Sequence, residues 1–166
     1  MTANLRELLS ELALGTPTGY QKLRIVHLRL RNTSDLEYLT LDEASAALVT
    51  IEESSSSGSV PKLRVRNRAK GRVFIPDGST LTGAKQNRVV NLSVLLAPES
   101  VTVIPVSCVE RGRWSSLTRH CSPSGVSDSA LRAMMCRGAT DSLRKSGSIG
   151  IDQVAVWNYV EGMLCG

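Results

Sequence analysis

Apolar and polar positions alternate through the middle of the chain. Lys62-Leu63-Arg64-Val65-Arg66 changes character at every residue, and the apolar runs Arg72 to Ile75, Arg88 to Leu96 and Val101 to Ser107 follow it. A period of two sends successive side chains to opposite faces of a strand. Asn67 to Gly71, Pro76-Asp77-Gly78 and Ala97 to Ser100 hold the turn-forming residues between them. Four strands at this spacing predict an antiparallel meander or a small sandwich. Leu23 to Leu30 and Val49 to Glu53 read as further strands.

Helical signals lie towards the ends. Asn4 is placed to cap a short helix through about Ala13, with Leu5, Leu8, Leu9 and Leu12 on one face, and Gly15 to Gly19 breaks it. Thr40 and Glu43 have capping-box spacing and predict a second helix to about Leu48. Further helices are predicted around Asp128 to Arg137 and over Ile151 to Leu164, the last with Val154, Trp157 and Val160 on one face. Ser54 to Ser59 reads as a flexible polar loop, and polar residues dominate Ser115 to Ser129. The fold class is therefore α+β, with an antiparallel β-rich central sheet or small sandwich and helices at the N- and C-terminal ends.

Composition narrows this picture. A length of 166 residues suits one domain whose core needs neither disulfide nor metal. Aromatics are 4% of the chain, so the core must be aliphatic and base-stacking platforms are few. A formal charge of +5 points to phosphate-bearing partners. Arg64, Arg66, Arg68, Lys70 and Arg72 concentrate that charge, either as the solvated face of a hairpin or as a phosphate-binding stripe for nucleic acid. No secretory signal or membrane-length apolar run is visible, which makes a reducing cytoplasm and free thiols the default. Cys108, His120, Cys121 and Cys136 could supply four zinc ligands, but they lack a short paired spacing, and no metal or cofactor is expected. His27 and His120 have no triad-like partners, and no P-loop, dinucleotide-binding fingerprint or HExxH occurs.

Leu81 to Trp114 holds the unusual chemistry. Gly83-Ala84-Lys85-Gln86-Asn87-Arg88 places four long or amide-bearing polar side chains before an apolar strand. Lys85 and Arg88 donate hydrogen bonds, while Gln86 and Asn87 both donate and accept, a set able to hold phosphate, carboxylate or ribose. In Pro105 to Trp114, strand alternation would put Cys108 and Glu110 on one face, with Arg88 or Arg113 as the neighbouring cation. The plainer alternatives are a buried structural cysteine, a Glu–Arg ion pair and a rim tryptophan.

Ile51-Glu52-Glu53, Gly58 to Leu63, the GAKQNR string at 83–88 and the PVSCVERGRW string at 105–114 resemble the ARPP-1 domain, which is associated with ADP-ribosylglycohydrolases and rhodanese-phosphatase proteins. The resemblance covers roughly Leu23 to Val160. It implies that Glu53, Lys85, Gln86, Asn87, Arg88, Cys108, Glu110, Arg113 and Trp114 occupy motif positions, in a context of ADP-ribose or nucleotide metabolism. The chain departs from the expected pattern at Ser79, where an acidic residue would follow Gly78. Family members often run longer, so the expectation is one domain over 1–166 without a C-terminal extension.

Three readings follow. A ligand-binding or regulatory domain would hold an anionic, nucleotide-like molecule with Lys85, Gln86, Asn87, Arg88, Arg113 and Trp114. An enzyme acting on an ADP-ribose-type substrate would use Glu53 or Glu110 as base, Cys108 as nucleophile, and Arg88 and Arg113 to stabilise negative charge. A nucleic-acid binder would use the basic stripe.

Overall fold

The computed structural model describes residues 5–31, 35–44, 46–55, 59 and 61–164. They fall into two compact units, Met1–Leu36 and Glu37–Gly166. The first unit contains α1 (Leu5–Ser10) and four three-residue strands: β1 (Leu12–Leu14), β2 (Thr18–Tyr20), β3 (Leu23–Ile25) and β4 (Leu28–Leu30). β1 pairs with β4, and β2 with β3, both antiparallel. The single strand expected over Leu23 to Leu30 is thus two, serving different partners. Helix α1 stops three residues before Ala13, and the expected cap, Asn4, lies outside the described residues.

The second unit contains β5 (Tyr38–Thr40), β6 (Val49–Glu53), β7 (Lys62–Asn67), β8 (Arg72–Ile75), β9 (Ser79–Gly83), β10 (Arg88–Val90), β11 (Val94–Leu96), β12 (Ser100–Cys108) and β13 (Cys121–Val126), then α2 (Ser129–Ser146) and α3 (Gln153–Leu164). Six of these strands close into a barrel in the order β10-β12-β7-β6-β13-β9. The α+β class holds, and the central sheet closes on itself around the inward side chains that every barrel strand contributes. Ile51, Leu63, Val65, Leu81, Val90, Ile104, Val106 and Cys121 all belong to one buried cluster. Interior side chains fill a barrel of this size.

The remaining strands form a separate sheet, β11-β8-β5, whose β5–β8 pair is parallel. Val73, Ile75 and Leu96 carry it onto the same cluster. The apolar run Arg88 to Leu96 is therefore divided, with β10 in the barrel and β11 in this sheet. On the outside of the barrel, Val89 packs with Leu131 and Met135 of α2 and Val156 of α3. Among the described residues no helix is long and apolar enough to cross a membrane.

Two strands escape a reading by hydrophobic pattern. β9 (Ser-Thr-Leu-Thr-Gly) and β13 (Cys-Ser-Pro-Ser-Gly-Val) are mostly polar, yet they pair with each other along their length. Their register shifts between Pro123 and Gly125, at an irregularity of the kind that accommodates proline and glycine within a sheet. The helix expected from Thr40 does not form. Its capping bonds do, with Thr40 N–H donating to Glu43 Oε2 at 2.7 Å, but Leu41 N–H donates to the Phe74 carbonyl and the chain continues in turns.

Helix α2 starts where expected, with Asp128 accepting from the N–H groups of Ala130 and Leu131, and runs on to Gly147 in the left-handed conformation. Helix α3 buries Val156 and packs Tyr159 and Val160 on the same cluster, so of the expected face Val160 points inward while Val154 is 58% exposed. Of the basic stripe, Arg66, Arg68, Lys70 and Arg72 are exposed, while Arg64 lies 3.8 Å from Glu52 and donates to the Ser54 carbonyl. In the loop expected over Ser54 to Ser59, residues 56–58 lie outside the described set.

Gly83 couples β9 to the segment before β13. It has φ +112°, and a Cβ there would meet Thr118 Oγ1 and stand 2.7 Å from the His120 carbonyl oxygen. Gly83→Ala is expected to lower stability by at least about 1–3 kcal/mol through overpacking and backbone strain. Gly71→Ala, where nothing lies within 4 Å, should stay within about 0.5 kcal/mol of the parent. Urea unfolding of the two variants checks this.

Candidate functional site

At one end of the barrel the inward rows change from apolar to polar. Val49 and Ile51 on β6 are followed two residues later by Glu53. Ile104 and Val106 on β12 are followed by Cys108. Arg88 opens β10 opposite Cys108 and Leu81, and directly opposed residues share a face. A cation and a carboxylate thus sit on top of an aliphatic interior.

Arg88 is fully buried. Its Nη1 donates to Gln86 Oε1 at 2.7 Å, and its Nη2 lies 3.7 Å from Glu53 Oε1. Arg88 Nε and Nη2, and Glu53 Oε2, have no hydrogen-bond partner among the described residues. Nε and Nη2 form one edge of the guanidinium, a fork suited to two acceptor atoms. The ring of Trp114 lies over the same group, 5.6 Å from centroid to Arg88 Cζ, and Lys85 Nζ is 5.3 Å from that ring. Trp114 itself is 44% exposed.

The loop that presents these groups is held by side chains. Asn87 Oδ1 accepts from Gly83 N–H, Thr118 Oγ1 from Ala84 N–H, Glu53 Oε1 from Lys85 N–H and Glu110 Oε2 from Asn87 N–H. Ala84, at φ +44°, takes a left-handed conformation that the turn imposes on it. Four consecutive contributors to the predicted motif therefore form one tied loop, with Gln86 also donating to the Glu110 carbonyl.

Arg113 clamps this loop. Its Nε and Nη2 each reach a Glu110 carboxylate oxygen at 2.6 Å, and its Nη1 donates to the carbonyls of Ala84 and Ser115. These hydrogen bonds hold the Glu110 carboxyl below its ordinary pKa despite partial desolvation. Glu110 is thereby committed to an ion pair. Cys108 is fully buried, its thiol donating to the Glu110 carbonyl at 3.1 Å and its backbone bracketed by the Gln153 amide. Cys108 and Glu110 are close, but through the Glu110 backbone. Burial, reinforced by Glu53, pushes the neighbouring Cys121 thiol up to about 11.

A cleft of about 530 Å³ opens beside the barrel end. Glu53 and Lys85 line it, together with Glu52, Arg64, Ser116, Thr118 and Arg119. All nine residues singled out from the sequence thus lie in one connected cluster, but only Glu53 and Lys85 of the nine border this cleft. Thr118, Arg119 and Gln153 belong to the same neighbourhood and were not singled out, and Cys121 was considered only as a zinc ligand. The segment of Thr118 and Arg119 carries no apolar period, and Gln153 acts from a helix 45 residues away in sequence from Cys108. Cys108, Cys121 and Cys136 are free thiols, and among the described residues no three metal-ligating side chains are grouped. Cys165 lies outside the described residues. Ser79, where an acid was expected, donates to the Pro76 carbonyl at 2.7 Å.

The Glu110–Arg113 clamp has a pH signature. A carboxyl whose folded pKa is depressed stabilises the fold above its unfolded pKa, about 4.3 for Glu, and that stability is lost as pH falls through the folded value. Glu110→Gln should cost about 1.5–3 kcal/mol at pH 7, the range for hydrogen bonds to charged groups. It should also flatten the fall in stability between about pH 5 and 3. Denaturant midpoints across that range test both.

No curated protein and no solved structure is detectably similar to the chain. A family model matches residues 11–164, which include every residue of the site. The chain belongs to the ARPP-1 family, the ARG and Rhodanese-Phosphatase-superfamily-associated Protein domain.

Proposed function

We propose that this protein is a ligand-binding or regulatory domain that takes an anionic, nucleotide-like molecule of the ADP-ribose type at the end of its barrel. One observation carries the reading. A buried arginine keeps an unfilled hydrogen-bonding edge beside an unfilled carboxylate oxygen, and that carboxylate belongs to the wall of a cleft. Buried polar atoms are nearly always paired, so a group left unpaired by the protein is a candidate for pairing with something else. The cations Arg64, Lys85 and Arg119 along the cleft favour negative charge there.

Binding is favoured over catalysis by the state of the candidate catalytic groups. The Cys108 thiol is sealed from solvent, and the Glu110 carboxylate is fully engaged by Arg113 and Asn87. Glu53 alone of the three reaches the cleft.

Thermal unfolding with and without ADP-ribose, NAD and AMP tests the proposal. A ligand at 100 times its Kd should add roughly 2.7 kcal/mol of apparent stability. Arg88→Ala strands Glu53 and should itself cost about 3–5 kcal/mol. The informative variants are therefore Arg88→Lys, which keeps the charge but loses the fork, and Lys85→Ala in the cleft. Both should fold and lose most of the ligand-induced shift. A normal ligand response in both variants would leave Arg88 as architecture and sink the proposal.

A further inference from the structure

We infer that the part of the ligand that enters the barrel end is a hydroxyl-bearing sugar, and that its phosphate stays outside in the cleft. This rests on the binding reading above and adds the orientation and chemical class of the bound group.

The unfilled atoms differ in kind. Arg88 Nε and Nη2 can only donate, while Glu53 Oε2, when ionised, can only accept. They belong to side chains whose nearest charged atoms stand 3.7 Å apart. A phosphate would satisfy the arginine but would press its charge against the Glu53 carboxylate, and like charges this close oppose one another. A sugar hydroxyl meets both demands, because it donates to a carboxylate and accepts from a guanidinium. Two adjacent hydroxyls would fill the whole set.

Charge is arranged to match along the approach. Glu53 stands at the barrel end. Arg64, Lys85 and Arg119 line the cleft whose wall Glu53 joins, with the hydroxyls of Ser116 and Thr118. Glu52 is the other carboxylate of the cleft, and Arg64 lies within 3.8 Å of it. A sugar phosphate lying across this boundary puts its neutral hydroxyls against Glu53 and its charge among the cations. The Trp114 ring lies over Arg88, 5.6 Å from centroid to Cζ, and so flanks the guanidinium edge that the sugar would meet.

Calorimetric titration of the whole chain with ribose 5-phosphate, 2-deoxyribose 5-phosphate and pyrophosphate tests the assignment. Ribose 5-phosphate should bind at least about tenfold tighter than the deoxy analogue, as expected when a hydroxyl paired to a charged group is removed. Pyrophosphate should bind more weakly than ribose 5-phosphate. Glu53→Gln should narrow the ribose–deoxyribose gap and strengthen pyrophosphate, because it removes the repelling charge. Equal affinity for ribose and deoxyribose phosphates in the wild-type protein would overturn the sugar assignment, whether or not the variant folds. So would pyrophosphate binding tightest, and either result would leave anion binding in the cleft intact. Failure of all three probes to bind would remove the sugar assignment together with the binding reading.

Discussion

A permanent positive charge inside the end of an aliphatic barrel is the constraint on which the site is built. A guanidinium does not lose its proton in a protein, so Arg88 must be neutralised and hydrogen-bonded where it sits. Glu53 supplies the counter-charge, Gln86 one hydrogen bond and the face of Trp114 a cover. Each provider then needs its own support. Gln86 lies in a loop whose backbone N–H groups are taken up by Glu53, Asn87, Glu110 and Thr118. Glu110 is in turn fixed by Arg113, which also reaches back to the Ala84 carbonyl at the start of that loop. The motif residues form a chain of dependence leading back to one buried cation, which explains why so many polar side chains occupy so short a stretch.

The support is nearly complete, and the place where it stops is informative. Every acceptor of the Glu110 carboxylate is engaged, whereas Glu53 Oε2 and one edge of Arg88 are not. On the proposed reading, a network closed so thoroughly on one side and left open on the other separates scaffold from contact surface. Glu110, Arg113 and Cys108 fall on the scaffold side. On the proposed reading Glu53, Arg88 and Lys85 fall on the contact side, with the Trp114 ring over Arg88.

Much of the fold was legible because a strand with one buried face must alternate. β6 and β8 match their expected limits, and β7 and β12 differ from theirs by one or two residues. β9 and β13 were not legible, since their stability comes from pairing with each other and from a few inward positions such as Leu81 and Cys121. Barrel closure depends on those two strands, so a sheet or sandwich was as far as periodicity could lead. The Thr40–Glu43 capping box formed its bonds without a helix, because Leu41 was claimed by the adjacent sheet. Tertiary pairing overrode a correct local signal. In the site, residue types and their crowding were visible in the sequence. The division of labour among them was not, because it depends on Glu53 meeting Arg88 from a distant strand while Glu110 meets Arg113 three residues on.

The central claim is that the open edge of Arg88 meets a ligand. The resonance of its Nε–H group, in protein labelled with nitrogen-15 on arginine and assigned through Arg88→Lys, reports on that edge directly. Titration with ADP-ribose should move this resonance and protect the proton from exchange with solvent, in step with saturation. An Arg88 Nε–H signal that stays fixed in position and exchange rate, while signals from Lys85 or Arg119 respond, would place the ligand elsewhere and contradict the account.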